Sequence, residues 1–557
     1  MASHASAPAC ASASEARAVK TQWVLWLCLM GLSCRTPEPA APPPPTLVMQ
    51  LEDTPEPPVL APERPARVAI ELAADAGSLS KLQREVLLDG DLPLADAQTF
   101  GDPYSEHEGI FTFRGGPRRS GGAFGVIPRK PSKLTVAWSL KTGEGRAPWY
   151  GGTGWTGQPV IVRWPAVMRH SMPKLKSLRD DDDFVEVIQG SLDGSVHFID
   201  LATGKRSRPA LVTGNSIKGS VSLDPRGYPL LFVGQGIPQT RPIGLRVFEL
   251  INHTEVFFLP GSDKAAPRRG WGAFDSSGLL NRATDTYVVG GENGLLYLIK
   301  LNTDFDPLAL TLHVKPEVAR YRYKSPGLSH FGIENSLSVV SNLAFFADNG
   351  GTLQAVDLRT MTPRWKFEAG DDTDATLALE LEGERPKLYT GTEVDKTGPR
   401  GTSWLRRIDG FTGTADWQVG IKCSGALAPK KIDAGVFSTP TLGSGEVSDL
   451  VFFSVSRCPG GEDGVLLALD KRTGREVWRV LLAQFSWSTP TLLTDEDGHA
   501  WLLHGGIGGR VRLHDARTGK EVASVQLQGD IEATPSVFNG RAVLGTRANR
   551  IYGIDIR

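Results

Sequence analysis

Cysteine is scarce in this chain, with five in 557 residues, and the placement of those five excludes several chemistries. No C-x-x-C-H run is present to attach haem, and no two cysteines are neighbours. Absent too are H-E-x-x-H, G-x-S-x-G and G-x-x-x-x-G-K-[ST] elements, so nothing announces a zinc protease, a serine hydrolase or a phosphate-binding loop. An excess of either charge is also missing. Sixty-one basic residues face 62 acidic ones for a formal charge of −1, which leaves no general attraction to nucleic acid or anionic lipid. The apolar run Trp23-Val-Leu-Trp-Leu-Cys-Leu-Met-Gly-Leu32 is too short to span a bilayer as a helix.

That run instead reads as the core of an export signal, because Arg17 and Lys20 precede it and Ser33-Cys34 follows. A Cys after a small residue at this place resembles a bacterial lipobox, in which Cys34 becomes the acylated N-terminus; Gly31 departs from the usual aliphatic residue. Residues 1–34 are therefore expected to be a signal peptide, and lipidation would tether a soluble body to a membrane surface. With Cys10, Cys28 and Cys34 in that region, Cys423 and Cys458 remain for one disulfide in an exported body. Lacking His partners, they are poor metal ligands.

Residues 35–65 are Pro-rich, including Pro42-Pro-Pro-Pro45, and read as a stiff extended tether. Residues 66–130 form an N-terminal extension with one helix expected around Ser78 to Leu88. From residue 131 to 557 the chain repeats itself. The clearest copy is Gly464-Val-Leu-Leu-Ala-Leu-Asp-Lys-Arg-Thr-Gly-Arg-Glu-Val-Trp478: an alternating strand ending in Asp470, a tight Thr473-Gly474 turn, and a strand carrying Trp478. Relatives begin at Gly194, Gly351 and Gly509, and weaker ones near Gly244, Gly294, Trp404 and Asn549. A spacing of about 40 to 60 residues is the period of stacked four-stranded blades.

Together with Phe113-Arg-Gly-Gly-Pro-Arg-Arg-Ser-Gly121 and Leu134-Thr-Val-Ala-Trp-Ser-Leu140, these repeats resemble bacterial propellers of the pyrroloquinoline quinone (PQQ) repeat type. Read as strands A to D, the frame puts A strands near residues 158, 219, 272, 335, 375, 437, 488 and 533, giving eight blades. The last lacks strand D, and Leu134 to Leu140 is a D strand without A, B or C before it. The expected fold is all-β: an eight-bladed β-propeller of four-stranded antiparallel blades, closed by an N-terminal strand completing the last blade.

A strands that converge on the axis should present a ring of residues at its mouth. The position before each Ser-Thr-Pro-like triplet gives Thr156, Lys218, Trp271, Glu334, Asp374, Phe437, Trp487 and Glu532. Most of such a ring is the normal wet lining of a propeller channel. The resemblance extends to quinoprotein dehydrogenases, where a Glu, an Asn and an Asp hold calcium and act beside the quinone. Glu334, Asn335 and Asp374 would take those places, near Trp271 or Trp487. Those enzymes also carry adjacent cysteines and longer insertions, which this chain lacks. The acidic runs Asp180-Asp-Asp-Asp183 and Asp495-Glu-Asp-Gly498 fall where A-to-B hairpins should turn and read as solvated turns rather than calcium loops. His197 and His514 lie inside C strands and read as packed imidazoles.

The reading that follows is a non-enzymatic, monomeric propeller lipoprotein of the cell envelope, in the outer membrane or periplasm. It resembles the BamB type, which binds no quinone. No metal or cofactor is expected, and its partners would be other envelope proteins or an extended peptide bound by strand addition. The alternatives are a PQQ- and calcium-dependent dehydrogenase, and a carbohydrate-binding or sensor propeller.

Overall fold

The computed structural model describes residues 66–68, 79, 82–88 and 98–557, apart from 155–156, 325–331, 399, 424–433 and 459–462. The chain divides into two compact units, Met1–Pro58 and Val59–Arg557, and every described residue belongs to the second. The export signal, Cys34, the tether and the ring candidate Thr156 lie outside the described residues. Among the described residues no helix is long and apolar enough to cross a membrane.

Eight antiparallel sheets succeed one another in chain order, each built on four strands. Their innermost strands are Val160–Val162, Ser222–Leu223, Leu279–Asn281, Ser338–Val340, Ala378–Glu382, Thr441–Leu442, Thr491–Thr494 and Ser536–Phe538. The sixth blade shows the plan in full, adding Leu450–Ser456, Gly464–Asp470 and Glu476–Leu482. Its second strand is buried along its whole length, whereas the outermost strand alternates between contact and solvent. Middle strands are sandwiched between neighbouring blades and are apolar on both faces; the outer strand has one free edge and tolerates polar residues. Leu134–Lys141 pairs antiparallel with Arg550–Ile556. The eighth blade is thus completed from the N-terminal side and the ring is closed.

The repeated Thr-Gly and Trp positions have one physical cause. Asp470 Oδ1 accepts the Thr473 amide at 2.7 Å and its hydroxyl at 2.6 Å, fixing the turn. Gly474 follows at φ 71°, and a Cβ there would lie 2.8 Å from the Trp417 ring of the preceding blade. Trp417 in turn donates its indole N–H to Lys471 O at 2.8 Å. The same lock joins Trp365 to Gly410 and Gly413, Trp478 to Ala516 and Gly519, and Trp138 to Leu201 and Gly204. Each Trp therefore seats in a cup that only a glycine leaves open, and its one polar atom is satisfied there. Trp138 makes this contact from the closing strand, so the ring seam is locked like the joints at Trp365, Trp417 and Trp478.

Two parts of the N-terminal extension pack on the propeller. Gln83–Leu88, where a helix was expected, is a strand; it pairs antiparallel with the outer strand of the third blade, Glu317–Lys324. That outer strand carries four charged residues but buries Val318, Ala319, Tyr321 and Tyr323, and the added strand, with Val86 inside, pairs its backbone edge as a helix could not.

Residues 104–127 form a plug across one end of the axis, and it touches all eight blades. Gly109–Ile110 pairs with the first blade's inner strand, and Ala123–Phe124 runs parallel to that of the eighth. The amides of Leu223, Val339 and Leu379 donate to Phe111, Pro117 and Arg118 carbonyls at 2.8, 2.8 and 2.9 Å, and Ile127 donates to Thr494 O at 3.0 Å. Arg114 reaches Pro490 O at 3.1 Å and Thr441 Oγ1 at 3.4 Å, while Arg119 reaches Ser277 O at 2.6 Å and Leu337 O at 2.7 Å. Gly115, at φ 79°, lets the plug fold back so that Gly121 donates to Arg114 O at 3.1 Å.

Candidate functional site

The plug seals the far end of the inner strands, so the ring positions four residues upstream of each inner strand stand at the other mouth. A belt of hydroxyls just behind them sets the register. Gln158 N donates to Ser220 Oγ at 2.9 Å, Ser277 N to Ser336 Oγ at 2.9 Å and Ser336 N to Thr376 Oγ1 at 3.0 Å. Thr439 N donates to Thr489 Oγ1 at 3.1 Å and Thr489 N to Thr534 Oγ1 at 3.3 Å. At these five joints the Ser or Thr of a triplet therefore stitches one blade to the next, accepting a backbone N–H across the joint.

This belt corrects one ring assignment. In the third blade the belt residue is Ser277, so the ring residue is Asp275 and not Trp271. The sequence Gly272-Ala-Phe274 imitates a triplet, but the strand begins only at Leu279. The described ring is Lys218, Asp275, Glu334, Asp374, Phe437, Trp487 and Glu532. Trp271 still borders the mouth and donates its indole N–H to Glu292 Oε2 at 2.5 Å.

One half of the mouth is acidic. Lys218 Nζ lies 2.5 Å from Asp275 Oδ2 and 2.5 Å from Glu334 Oε1, with all three side chains at least nine-tenths buried. Asp275, Glu292 and Glu334 hold oxygens within 4.8 Å of one another, and so do Asp372, Asp374 and Glu393. Asn349 Nδ2 joins the two groups, donating to Glu334 Oε2 at 3.1 Å and Asp374 Oδ1 at 3.4 Å. Glu292, Asn349 and Glu393 come from the connections between second and third strands, which have no strand periodicity and gave no signal in the sequence.

Crowding sets the protonation of these groups. Burial, then the charges of Glu334 and Asp275, pushes Glu292 well above the carboxylate range; as a neutral acid it can donate to Asp275. Burial and the neighbouring Glu334 likewise raise Asp374, and burial and Asp374 raise Asp372. Burial alone would raise Glu334, but the Lys218 ammonium holds it below its usual value. Burial also works against the Lys218 charge, yet Asp275, Glu334 and Glu292 raise it well above the ordinary lysine range. Burial raises Glu532, against the pull of Arg547 at 3.8 Å.

The other half is aromatic. Phe437 and Trp487 ring centroids are 5.4 Å apart, and Phe485 lies 5.5 Å from Trp487. The joint between the fifth and sixth blades carries the disulfide Cys423–Cys458. Of the acidic runs, Asp495 caps its turn by accepting the Asp497 and His499 amides at 3.0 and 2.9 Å. His197 packs against Asp193 at 3.0 Å, and the His514 ring contacts Gly519 O at 3.0 Å.

A quinone with calcium does not fit this set. The Asn335 carboxamide is committed to the backbone, donating to Ala347 O at 3.0 Å and Thr373 O at 2.9 Å and accepting from the Ala347 amide at 3.3 Å. Glu334 is taken by Lys218 and Asn349, and no adjacent cysteines exist to face a quinone ring.

Residues 462–557 match the family model described as outer membrane protein assembly factor BamB. No curated protein matches the sequence. Among solved structures, quinohemoprotein alcohol dehydrogenase from Comamonas testosteroni superposes with a TM-score of 0.52 at 13% identity, over 81% of this chain and 80% of that one. The quinohemoprotein alcohol dehydrogenase ADHIIG of Pseudomonas putida HK5 gives 0.51 at 12% identity, over 81% and 80%. BamB from Moraxella catarrhalis gives 0.46 at 14% identity, over 76% of this chain and 99% of that one.

Proposed function

From the premise that this chain is an eight-bladed propeller of PQQ-like repeats, we propose that it is a non-enzymatic binding module of the bacterial cell envelope, exported and lipid-anchored through Cys34. It holds an extended segment of another envelope protein by strand addition. The observation that carries this reading is the strand Gln83–Leu88 lying on the outer edge of the third blade: a blade of this propeller already accepts an added antiparallel strand. The outer strand of the sixth blade, Glu476–Leu482, ends its sheet among the described residues and turns Val477 and Leu481 to solvent at 49% and 70% exposure. Such a strand binds through its free backbone groups and is selective through alternate side chains. The disulfide Cys423–Cys458 suits an oxidising compartment. The chemistry at the axial mouth supports no quinone-dependent step.

The test is a photo-crosslinker at position 479, on the same exposed face between Val477 and Leu481, in the full chain, followed by purification from detergent-solubilised envelopes. One dominant adduct, mapped to an extended partner segment and abolished by V477D/L481D without loss of fold, is the expected outcome. An adduct pattern unchanged by that double substitution would sink the strand-addition reading. A Cys34→Ser chain should leave the membrane fraction; if it stays, the anchor lies elsewhere.

A further inference from the structure

We infer that the Lys218 ammonium is a built-in counter-ion filling a divalent-cation site, which Asp275, Glu334 and, on losing its proton, Glu292 would otherwise offer to calcium. The three side chains hold oxygens within 4.8 Å of one another, close enough for a single ion to reach one oxygen of each at about 2.4 Å. Lys218 Nζ sits among them, 2.5 Å from one oxygen of Asp275 and 2.5 Å from one of Glu334.

The stem is as closely fitted as the head. A Cβ at Gly154 would lie 3.1 Å from Lys218 Cγ, and one at Gly236 3.1 Å from Lys218 Cβ. Two glycines thus form a sleeve that a side chain at either position would narrow. The Trp149 ring centroid is 5.8 Å from Nζ, so an aromatic face also borders the charge. An ammonium held this way needs no entropy of association, and it outcompetes a free ion for the same oxygens. The volume among the three side chains is thus filled by this chain's own ammonium.

The inference predicts a gain of binding on removing one side chain. Full-length wild type, K218A and K218Q would be titrated with calcium by calorimetry, and with terbium by luminescence sensitised through Trp271, whose indole N–H contacts Glu292. K218A and K218Q should acquire one saturable site about a hundredfold tighter than anything in wild type. Adding E334Q to K218A should abolish it. Thermal unfolding gives a second reading: calcium should raise the midpoint of the Lys218 variants and leave that of wild type unmoved. Variants that fold only with calcium present would support the inference equally. It is overturned if folded K218A and K218Q bind no ion, if wild type binds as tightly at a site that E334Q removes, or if neither variant folds at any calcium concentration.

Discussion

Replacing Arg119 by Met should destabilise the protein by about 3 kcal/mol, although the residue is a cation with no carboxylate ion-paired to it among the described residues. Its guanidinium donates to Thr112 Oγ1 at 3.0 Å, Phe113 O at 2.7 Å, Ser277 O at 2.6 Å and Leu337 O at 2.7 Å. Four charge-assisted hydrogen bonds at the lower end of their usual worth total about 6 kcal/mol. Against this, burial pushes the guanidinium pKa down to about 10, a penalty of roughly 3 kcal/mol on the charged form. Met restores most of the stem volume, so the cavity contribution is small. Arg118 is the natural control: it pairs with Asp102 at 2.5 Å, the two side chains 39% and 71% exposed, and R118M should cost about 0.5 kcal/mol or less. Guanidinium denaturation followed by Trp fluorescence separates the two. Native-state hydrogen exchange adds a local reading, because the Leu223, Val339 and Leu379 amides end on plug carbonyls and should exchange faster in R119M. Equal midpoints for R119M and R118M, or exchange at those amides unchanged, would refute the claim that the plug fastens the blades.

Removing the disulfide by C423S/C458S closes no loop of 35 residues in the unfolded chain and should lower stability by about 4 kcal/mol on the chain-entropy relation; denaturation with and without reductant measures it. V86D places a carboxylate in a buried strand position and should release Gln83–Leu88, exposing Tyr321, Tyr323 and a free strand edge. Self-association in sedimentation or size-exclusion runs is the expected sign. His504 is fully buried and makes no hydrogen bond among the described residues; burial, then the charges of His514 and Arg512, holds its pKa well below 6.5. The folded state keeps it neutral, so its contribution is present above the unfolded value near 6.5 and is lost as pH falls. H504L should flatten the acid limb of the stability curve below pH 6.5, and an unchanged limb would reject that assignment.

Fold and site differ in how far the sequence reveals them. Blade count and closure were legible because the Gly, Asp, Thr-Gly and Trp marks serve a contact that the joints at Trp138, Trp365, Trp417 and Trp478 repeat, and Leu134–Lys141 carries the same marks as the D strands inside the ring. Lys218, Glu334, Asp374 and Glu532 were legible as mouth residues because they precede recognisable triplets. Asp275 was not, since Gly272-Ala-Phe274 has the small-residue look of a triplet four positions too early. Arg114 and Arg119 were hidden for a different reason. Arginines among Gly and Pro read as exposed loop, and only the assembled ring supplies the backbone carbonyls that make their burial affordable. The strand Gln83–Leu88 escaped because its partner, Glu317–Lys324, lies more than two hundred residues away, as the Arg322–Glu85 pair at a separation of 237 records.

The seam between Leu134–Lys141 and Arg550–Ile556 also orders events in time. Ser139 and Arg550, hydrogen-bonded across it, are 411 residues apart, so at about 5 to 20 residues per second the ribosome needs roughly 20 to 80 seconds to supply the second after the first. During that interval the closing strand has no partner, and neither do the plug's contacts to the later blades. A chain cut before Arg550 would have seven finished repeats and an open ring. Closure is therefore reported by the arrival of Arg550–Ile556, and a protease or chaperone that recognises an unpaired Leu134–Lys141 would distinguish a closed ring from an open one.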